Sequence, residues 1–235
     1  MAFLVAGWVK GAIGVGLPTV VMGILSTVMA PAQAAAFMVL PAIGTNIWQM
    51  LAGPALAKLL RRFALMIVAV FVGTFTTIGL MTQSAAGASA ALGAVLAAYG
   101  LYGLFAPRFE VPARHERWTS PLVGLATGAI SGATGVFVIP TVPYLTSLRM
   151  TSEELVQSIG ISAFVCPLAL TLALAVHGRY GGGAATASFA ALFPALAGMY
   201  IGQRVRRRLP APTFMRWFFI GLVALGGYMF ARAIH

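Results

Sequence analysis

Aspartate is absent from this chain of 235 residues, which holds four acidic residues, three histidines and a single cysteine. Each shortage excludes something. Cys166 has no partner for an intrachain disulfide, and one thiol does not suggest a metal or iron–sulfur site. The four glutamates lie in polar stretches, Glu110 and Glu116 in a loop and Glu153 and Glu154 at the polar start of a helix, so no carboxylate is available deeper in an apolar segment to coordinate a cation. No serine–histidine, paired-carboxylate or histidine-rich metal arrangement occurs within those segments either. No Gly-x-x-x-x-Gly-Lys-Ser/Thr loop is present to cradle a nucleotide. The chain is therefore not expected to be an enzyme, and no cofactor or metal is assigned to it.

What the chain has in abundance is apolar surface. Hydrophobic residues make up 60% of it and charged residues 8%. A soluble domain of this size needs far more polar surface. Several apolar runs reach the ~20 residues that cross a ~30 Å hydrocarbon core. The alternating short segments of a membrane β-barrel are missing. An all-α, polytopic membrane protein is expected. The net charge of +11 fits basic loops lying against anionic lipid. The bilayer is the expected partner, and nucleic acid is not.

The most unusual stretch is Gly7-Trp8-Val9-Lys10-Gly11-Ala12-Ile13-Gly14-Val15-Gly16-Leu17-Pro18-Thr19. It is apolar, rich in glycine, broken by proline, and holds a lysine with no carboxylate nearby. Eight apolar residues precede Lys10, the wrong order for a cleaved signal peptide. The stretch also recurs. At a shift of 121 residues, Gly7, Gly11, Ala12, Gly14, Val15, Val21, Ser26 and Met29 fall on Gly128, Gly132, Ala133, Gly135, Val136, Val142, Ser147 and Met150. The chain therefore reads as two similar halves: 1–107, a polar linker loop over 108–119, and 120–235. Apolar segments are expected over 31–57, 63–83, 88–106, 151–176, 184–203 and 213–232. The start of the segment over 151–176 is marked by Thr151-Ser152-Glu153-Glu154, a capping box that starts a helix.

Charge then tests the threading. If both Gly-rich stretches cross the membrane, the basic residues other than Lys10 divide eight against six. If each dips in and returns, twelve share one side and only Arg179 and Arg232 lie opposite. The second asymmetry is that of a cytoplasmic face. It makes the halves inverted, each a broken or re-entrant helical hairpin followed by three spans, with both termini periplasmic. About 27 residues also suit two half-helices, each covering ~18 Å at 1.5 Å per residue. Irregular backbone at membrane depth lines a cavity or is buried in protein, and inverted repeats with such breaks are a transporter architecture.

Lys10-Gly11-Ala12-Ile13-Gly14-Val15-Gly16-Leu17-Pro18-Thr19, with Gly128-x-x-Ser131-Gly132-x-x-Gly135 and Pro140 in the second half, resembles the sulfite exporter TauE/SafE family, also called TSUP. The similarity runs through both halves. Gly135-Val136-Phe137 departs from the run of three glycines usual there. The resemblance implies secondary transport of sulfite, a sulfonate, thiosulfate or a related small organic anion across the bacterial inner membrane. A sulfur-free carboxylate, or a non-transporting assembly subunit, is the alternative. The oligomeric state is not fixed by the sequence, and a homodimer is admitted.

The expected site lies between the two Gly-rich tips. From the first come Lys10, Gly14, Gly16 and Thr19. Thr45, Asn46 and Gln49 come from the segment that follows, and Ser131, Thr134, Gly135 and Thr141 from the second tip. Lys10 either faces an anion or snorkels to an interface. Asn46 and Gln49 either bind substrate or bond between helices. Ser158 and Ser162 read as packing residues, Cys166 as a small apolar filler, and Gly7, Gly11, Gly128 and Gly132 as close-packing positions.

Overall fold

Two short segments with glycine or proline at their ends set the architecture. In the computed structural model, which describes residues 1–51, 53–105, 111–206 and 211–234, α1 (Ala2–Ile13) stops where Gly14 adopts φ 95° and donates its N–H to the Lys10 carbonyl at 2.7 Å. Only glycine takes that left-handed geometry without a Cβ penalty. Gly16 is left-handed as well, and Leu17-Pro18 then starts α2 (Leu17–Leu25), with proline in the first turn where no N–H is needed. The second break has the same cap. Just after the helix α7 (Ala113–Thr134), Gly135 takes φ 75° and donates to the Ser131 carbonyl at 2.7 Å.

The remaining elements follow in order. They are α3 (Pro31–Leu51), α4 (Leu56–Arg62), α5 (Ala64–Gln83), α6 (Ala85–Phe105), α7 (Ala113–Thr134), α8 (Thr141–Ser147), α9 (Ser152–Val176), α10 (Gly182–Arg206) and α11 (Ala211–Ile234). Among the described residues there is no strand. α3, α5, α6, α9 and most of α10 are long and apolar enough to cross a membrane. Val68, Phe189 and Phe193 are each more than half exposed on these helices, a liability in water but an ordinary lipid-facing surface.

Three expectations are corrected. The segment over 31–57 is two helices, because 53–55 turn before α4 begins. The expected loop over 108–119 is helical from Ala113 onward, which also puts Glu116 in the first turn of α7. The half-helices of the second break are unequal, 22 residues in α7 against 7 in α8. The expected residues Pro107, Arg108, Glu110, Arg207 and Arg208 lie outside the described residues. The capping box is formed as expected: Glu154 N–H donates to Thr151 Oγ1 and Thr151 N–H to Glu154 Oε2, both at 3.2 Å.

Glycines set the helix spacing. α1 packs along α10, α5 along α7, α6 along α11, and α3 against α9 and α10. A Cβ at Gly7 or Gly11 would strike the carbonyl of Ala195 or Met199, and one at Gly198 or Gly202 the carbonyl of Leu4 or Trp8. On the other pair, Gly128 and Gly132 face the Val70 and Thr74 carbonyls, and Gly73 faces that of Leu125. Backbone-to-backbone approach of this kind drives association where the hydrophobic effect gives nothing, since lipid is as apolar as leucine. The close-packing role expected for these four repeated glycines is what the geometry shows.

Polar contacts tie the ends together. Val111 N–H donates to the Ser147 carbonyl at 3.1 Å, so the two ends of the stretch holding α7 and α8 meet. Lys58 Nζ lies 2.7 Å from Glu154 Oε1, and Arg62 Nε 2.5 Å from Glu116 Oε1, which places α4 beside the starts of α7 and α9. At another point Arg179 donates to the Thr82 carbonyl at 3.0 Å, and Arg232 to that of Thr27 at 3.4 Å.

Candidate functional site

Lys10 sits in the last turn of α1, one turn before the break, and is 5% exposed. Its Nζ donates to Thr45 Oγ1 at 2.9 Å and to Asn46 Oδ1 at 2.5 Å. The side chain therefore turns into the protein and does not snorkel. Both acceptors are neutral oxygens. The third N–H of the ammonium remains available, because a lysine head carries three donors.

Asn46 is held from three sides. Its Nδ2 donates to the Ala42 carbonyl at 2.6 Å and to the Ala163 carbonyl on α9 at 3.0 Å, while its Oδ1 accepts from Lys10. The α9 contact has a local cause. Pro167 has no N–H, so it leaves the carbonyl four residues back, Ala163, without its helical donor. A buried carbonyl without a partner is costly, and the amide of Asn46 supplies one. Thr45 Oγ1 in turn donates to the Pro41 carbonyl at 2.7 Å. In this conformation Asn46 bonds between helices and also orients the lysine.

A small cavity of about 20 Å³ opens at this point. Val15, Gly16 and Pro18 of the first break line it, with Val138, Thr141 and Val142 of the second, Asn46 of α3, and Ile159, Ser162 and Ala163 of α9. Lys10 and Phe137 complete the wall. The volume is that of about one water molecule. The pocket is closed in this conformation, with one cationic group and otherwise hydroxyl, amide and apolar walls.

The expected residues distribute unevenly around it. Lys10, Gly16, Asn46 and Thr141 line the cavity, and Thr45 touches Lys10. Thr141 Oγ1 also pairs with Thr127 Oγ1 at 2.6 Å. Gly14, Thr134 and Gly135 shape the breaks instead: Thr134 Oγ1 donates to the Ile130 carbonyl at 2.7 Å and accepts from Val136 N–H at 3.2 Å. Gly135 lies against Met22 of α2, so a Cβ there would come within 3.0 Å of its side chain. Thr19 Oγ1 and Ser131 Oγ are fully buried and carry no hydrogen bond within the protein. Gln49 is elsewhere: its Nε2 donates to the Val156 carbonyl at 3.2 Å, and it lines a separate cavity of about 350 Å³ at the start of α9.

Ser162 is the polar residue that sequence reasoning missed. Ser158, its neighbour at helical spacing, is buried against Met150 as a packing residue, with Oγ 3.7 Å from Sδ. Nothing in the sequence separates the two serines, and only the register of α9 against α3 sends one to the cavity. Phe137 and Ile159 were likewise not anticipated.

A bundle of several apolar, bilayer-length helices, with a small, mostly apolar pocket between broken helices, defines a multi-pass membrane protein. Residues 1–229 match the family described as Sulfite exporter TauE/SafE, and the chain belongs to that family. It is a family of transporters and not of enzymes, which matches the absence of catalytic expectations above. No curated protein and no solved structure matches the chain.

Proposed function

We propose that the protein is a secondary transporter of a small anion, in the class of sulfite, sulfonates and thiosulfate, bound between the two helix breaks beside Lys10. One observation carries the reading: a buried lysine with only neutral acceptors faces a cavity bounded by both breaks. A lysine at the bilayer centre costs about 2.5–3.5 kcal/mol on insertion scales. An anion arriving at the third N–H would offset that cost. The unpartnered hydroxyls of Thr19, at the start of α2, and Ser131, in the last turn of α7, are buried donors one beside each break, outside the cavity lining. Family membership favours a sulfur-containing anion over a carboxylate.

The proposed frame is a pair of inverted repeats, about 1–107 and 120–235. Reciprocal glycine contacts support it. Gly7 and Gly11 meet carbonyls of Ala195 and Met199, while Gly128 and Gly132, each 121 residues later, meet those of Val70 and Thr74, each 125 earlier than the first pair. Gly198 faces the Leu4 carbonyl and Gly73 that of Leu125, and the same two offsets relate them. Every one of these contacts joins one half to the other. The Val111–Ser147 bond favours a hairpin for the second Gly-rich stretch, since both its ends meet. The ion pairs of α4 with Glu116 and Glu154 favour the same side for the three basic loops expected to face the cytoplasm. On this reading the protein lies in the bacterial inner membrane with its termini periplasmic, and the halves rock about the pocket to expose it alternately.

Flux of labelled sulfite into proteoliposomes, with acetate as the carboxylate comparison, tests the reading. Sulfite is expected to move faster than acetate, and Lys10→Ala to reduce its flux at least tenfold. Flux unchanged by Lys10→Ala, or no flux of either anion, overturns the proposed site.

A further inference from the structure

We infer that the pocket narrows the proposed class to anions of single charge with one apolar vertex, hydrogen sulfite and alkyl sulfonates, and rejects dianions of the same size, thiosulfate and fully deprotonated sulfite among them. The inference rests on the proposed transport site and concerns the charge state of what enters it.

The argument is a charge balance in a poorly hydrated space. Lys10 is the one Lys, Arg, His, Asp or Glu among the cavity-lining residues. It is also the one such residue in α1, α2, α3, the stretch 120–148, and α9 beyond Glu154. α10, which packs behind α1, carries none between Gly182 and Gln203. The other polar groups at the wall, Asn46, Thr141 and Ser162, are neutral. Helix ends do not change the sum. α1 ends at Ile13 and α2 begins at Leu17, so the partial negative end of one helix lies beside the partial positive end of the next. The two contributions largely offset, and the site presents one net positive charge.

A monoanion on Lys10 closes that balance. A dianion leaves one negative charge buried without a partner, which is the expensive half of a broken ion pair. The free energy of an uncompensated buried charge corresponds to a selectivity of roughly a hundredfold or more. The walls select the second feature. Val15, Val142, Phe137 and Ile159 offer no hydrogen bond to a fourth oxygen, whereas a methyl group or a sulfur lone pair needs none. Lys10, Ser162 and Thr141 can donate to the remaining oxygens. The cavity must widen to admit such an anion, since about 20 Å³ holds one water-sized group. Once the cavity widens, the anion accepts from the third N–H of the ammonium, beside the bonds to Thr45 Oγ1 and Asn46 Oδ1.

Methanesulfonate and sulfate separate charge from shape, being tetrahedral and of similar size with one and two charges. Titration calorimetry of the purified full-length protein in gluconate buffer, at matched ionic strength, gives both affinities. Methanesulfonate is expected to bind roughly a hundredfold or more tighter than sulfate. Equal affinities overturn the inference while leaving an anion site intact. Absence of binding by either anion overturns the transport site and the inference together. Ser162→Lys adds a second cation at the wall, and sulfate affinity is expected to rise at least tenfold relative to methanesulfonate. Thr141→Lys serves as the second variant, and unchanged selectivity in both folded variants counts against the charge argument.

Discussion

Asn46 supplies the hydrogen bond that Pro167 cannot. The proline leaves the Ala163 carbonyl of α9 without its helical N–H, and Asn46 Nδ2 on α3 reaches it at 3.0 Å. The same amide presents its oxygen to Lys10 at 2.5 Å. One side chain thus ties α1, α3 and α9 together at the pocket, and the tie depends on a proline on a different helix.

A double-mutant cycle measures this dependence. Asn46→Leu keeps the branched shape but removes all three side-chain hydrogen bonds, and is expected to destabilise the detergent-solubilised protein by about 1–3 kcal/mol. Pro167→Ala restores an N–H to α9. In the Asn46→Leu background it is expected to recover part of the loss, read as a higher melting temperature than the single Asn46 variant. Strict additivity of the two changes would contradict the coupling.

Glycine positions divide by what faces them. Gly128→Ala drives a Cβ into the Val70 carbonyl, a backbone atom that cannot swing aside, and is expected to cost about 1–3 kcal/mol. Gly227 on α11 has nothing within 4 Å of a Cβ. Gly227→Ala is expected to be neutral or to stabilise by up to about 1 kcal/mol. Thermal melts of the two variants side by side decide it, and equal effects would remove the packing argument.

Acid sensitivity should be concentrated where α4 meets α9. The hydrogen bond from Lys58 and that from the Thr151 N–H hold the Glu154 carboxyl below the usual carboxylate range. A depressed folded-state value means the contribution is present above the unfolded value and is lost as pH falls through the folded one. Lys58→Met should move the Glu154 titration upward, visible by carbon NMR of labelled glutamate. Global stability at neutral pH should change little, because exposed pairs contribute weakly.

Threading is accessible to thiol labelling. Native Cys166 is fully buried and serves as a silent background. Cysteines at Arg114 and Glu153 are expected to react from the cytoplasmic side, and one at Val28, which is 76% exposed, from the periplasmic side. Labelling of all three from one side would refute the inverted arrangement.

Much of the frame was legible because it depends on local rules. Apolar length announced the long helices, the Thr151–Glu154 box fixed the start of α9, and left-handed glycines fixed both breaks. Boundaries failed where packing overrode composition: the polar residues 113–119 are helical because ion pairing with α4 and the growing α7 support them. The site was half legible. A lysine amid apolar residues and an amide at helical spacing draw attention in any sequence, so Lys10, Thr45 and Asn46 were singled out, and the structure brings the three together. Gln49 belonged to the same pattern yet faces the start of α9, because one further turn of α3 carries it past the pocket.

The sequence by itself determined that the chain is a helical membrane protein, where its helices break, and that Lys10 has no acidic partner, since these follow from composition and backbone chemistry along one segment. Only the tertiary structure decided that Asn46 answers Pro167, that Ser162 and not Ser158 reaches the cavity, and that Lys10 turns inward. Those are relations between helices far apart in the chain, set by how closely glycine lets their backbones approach.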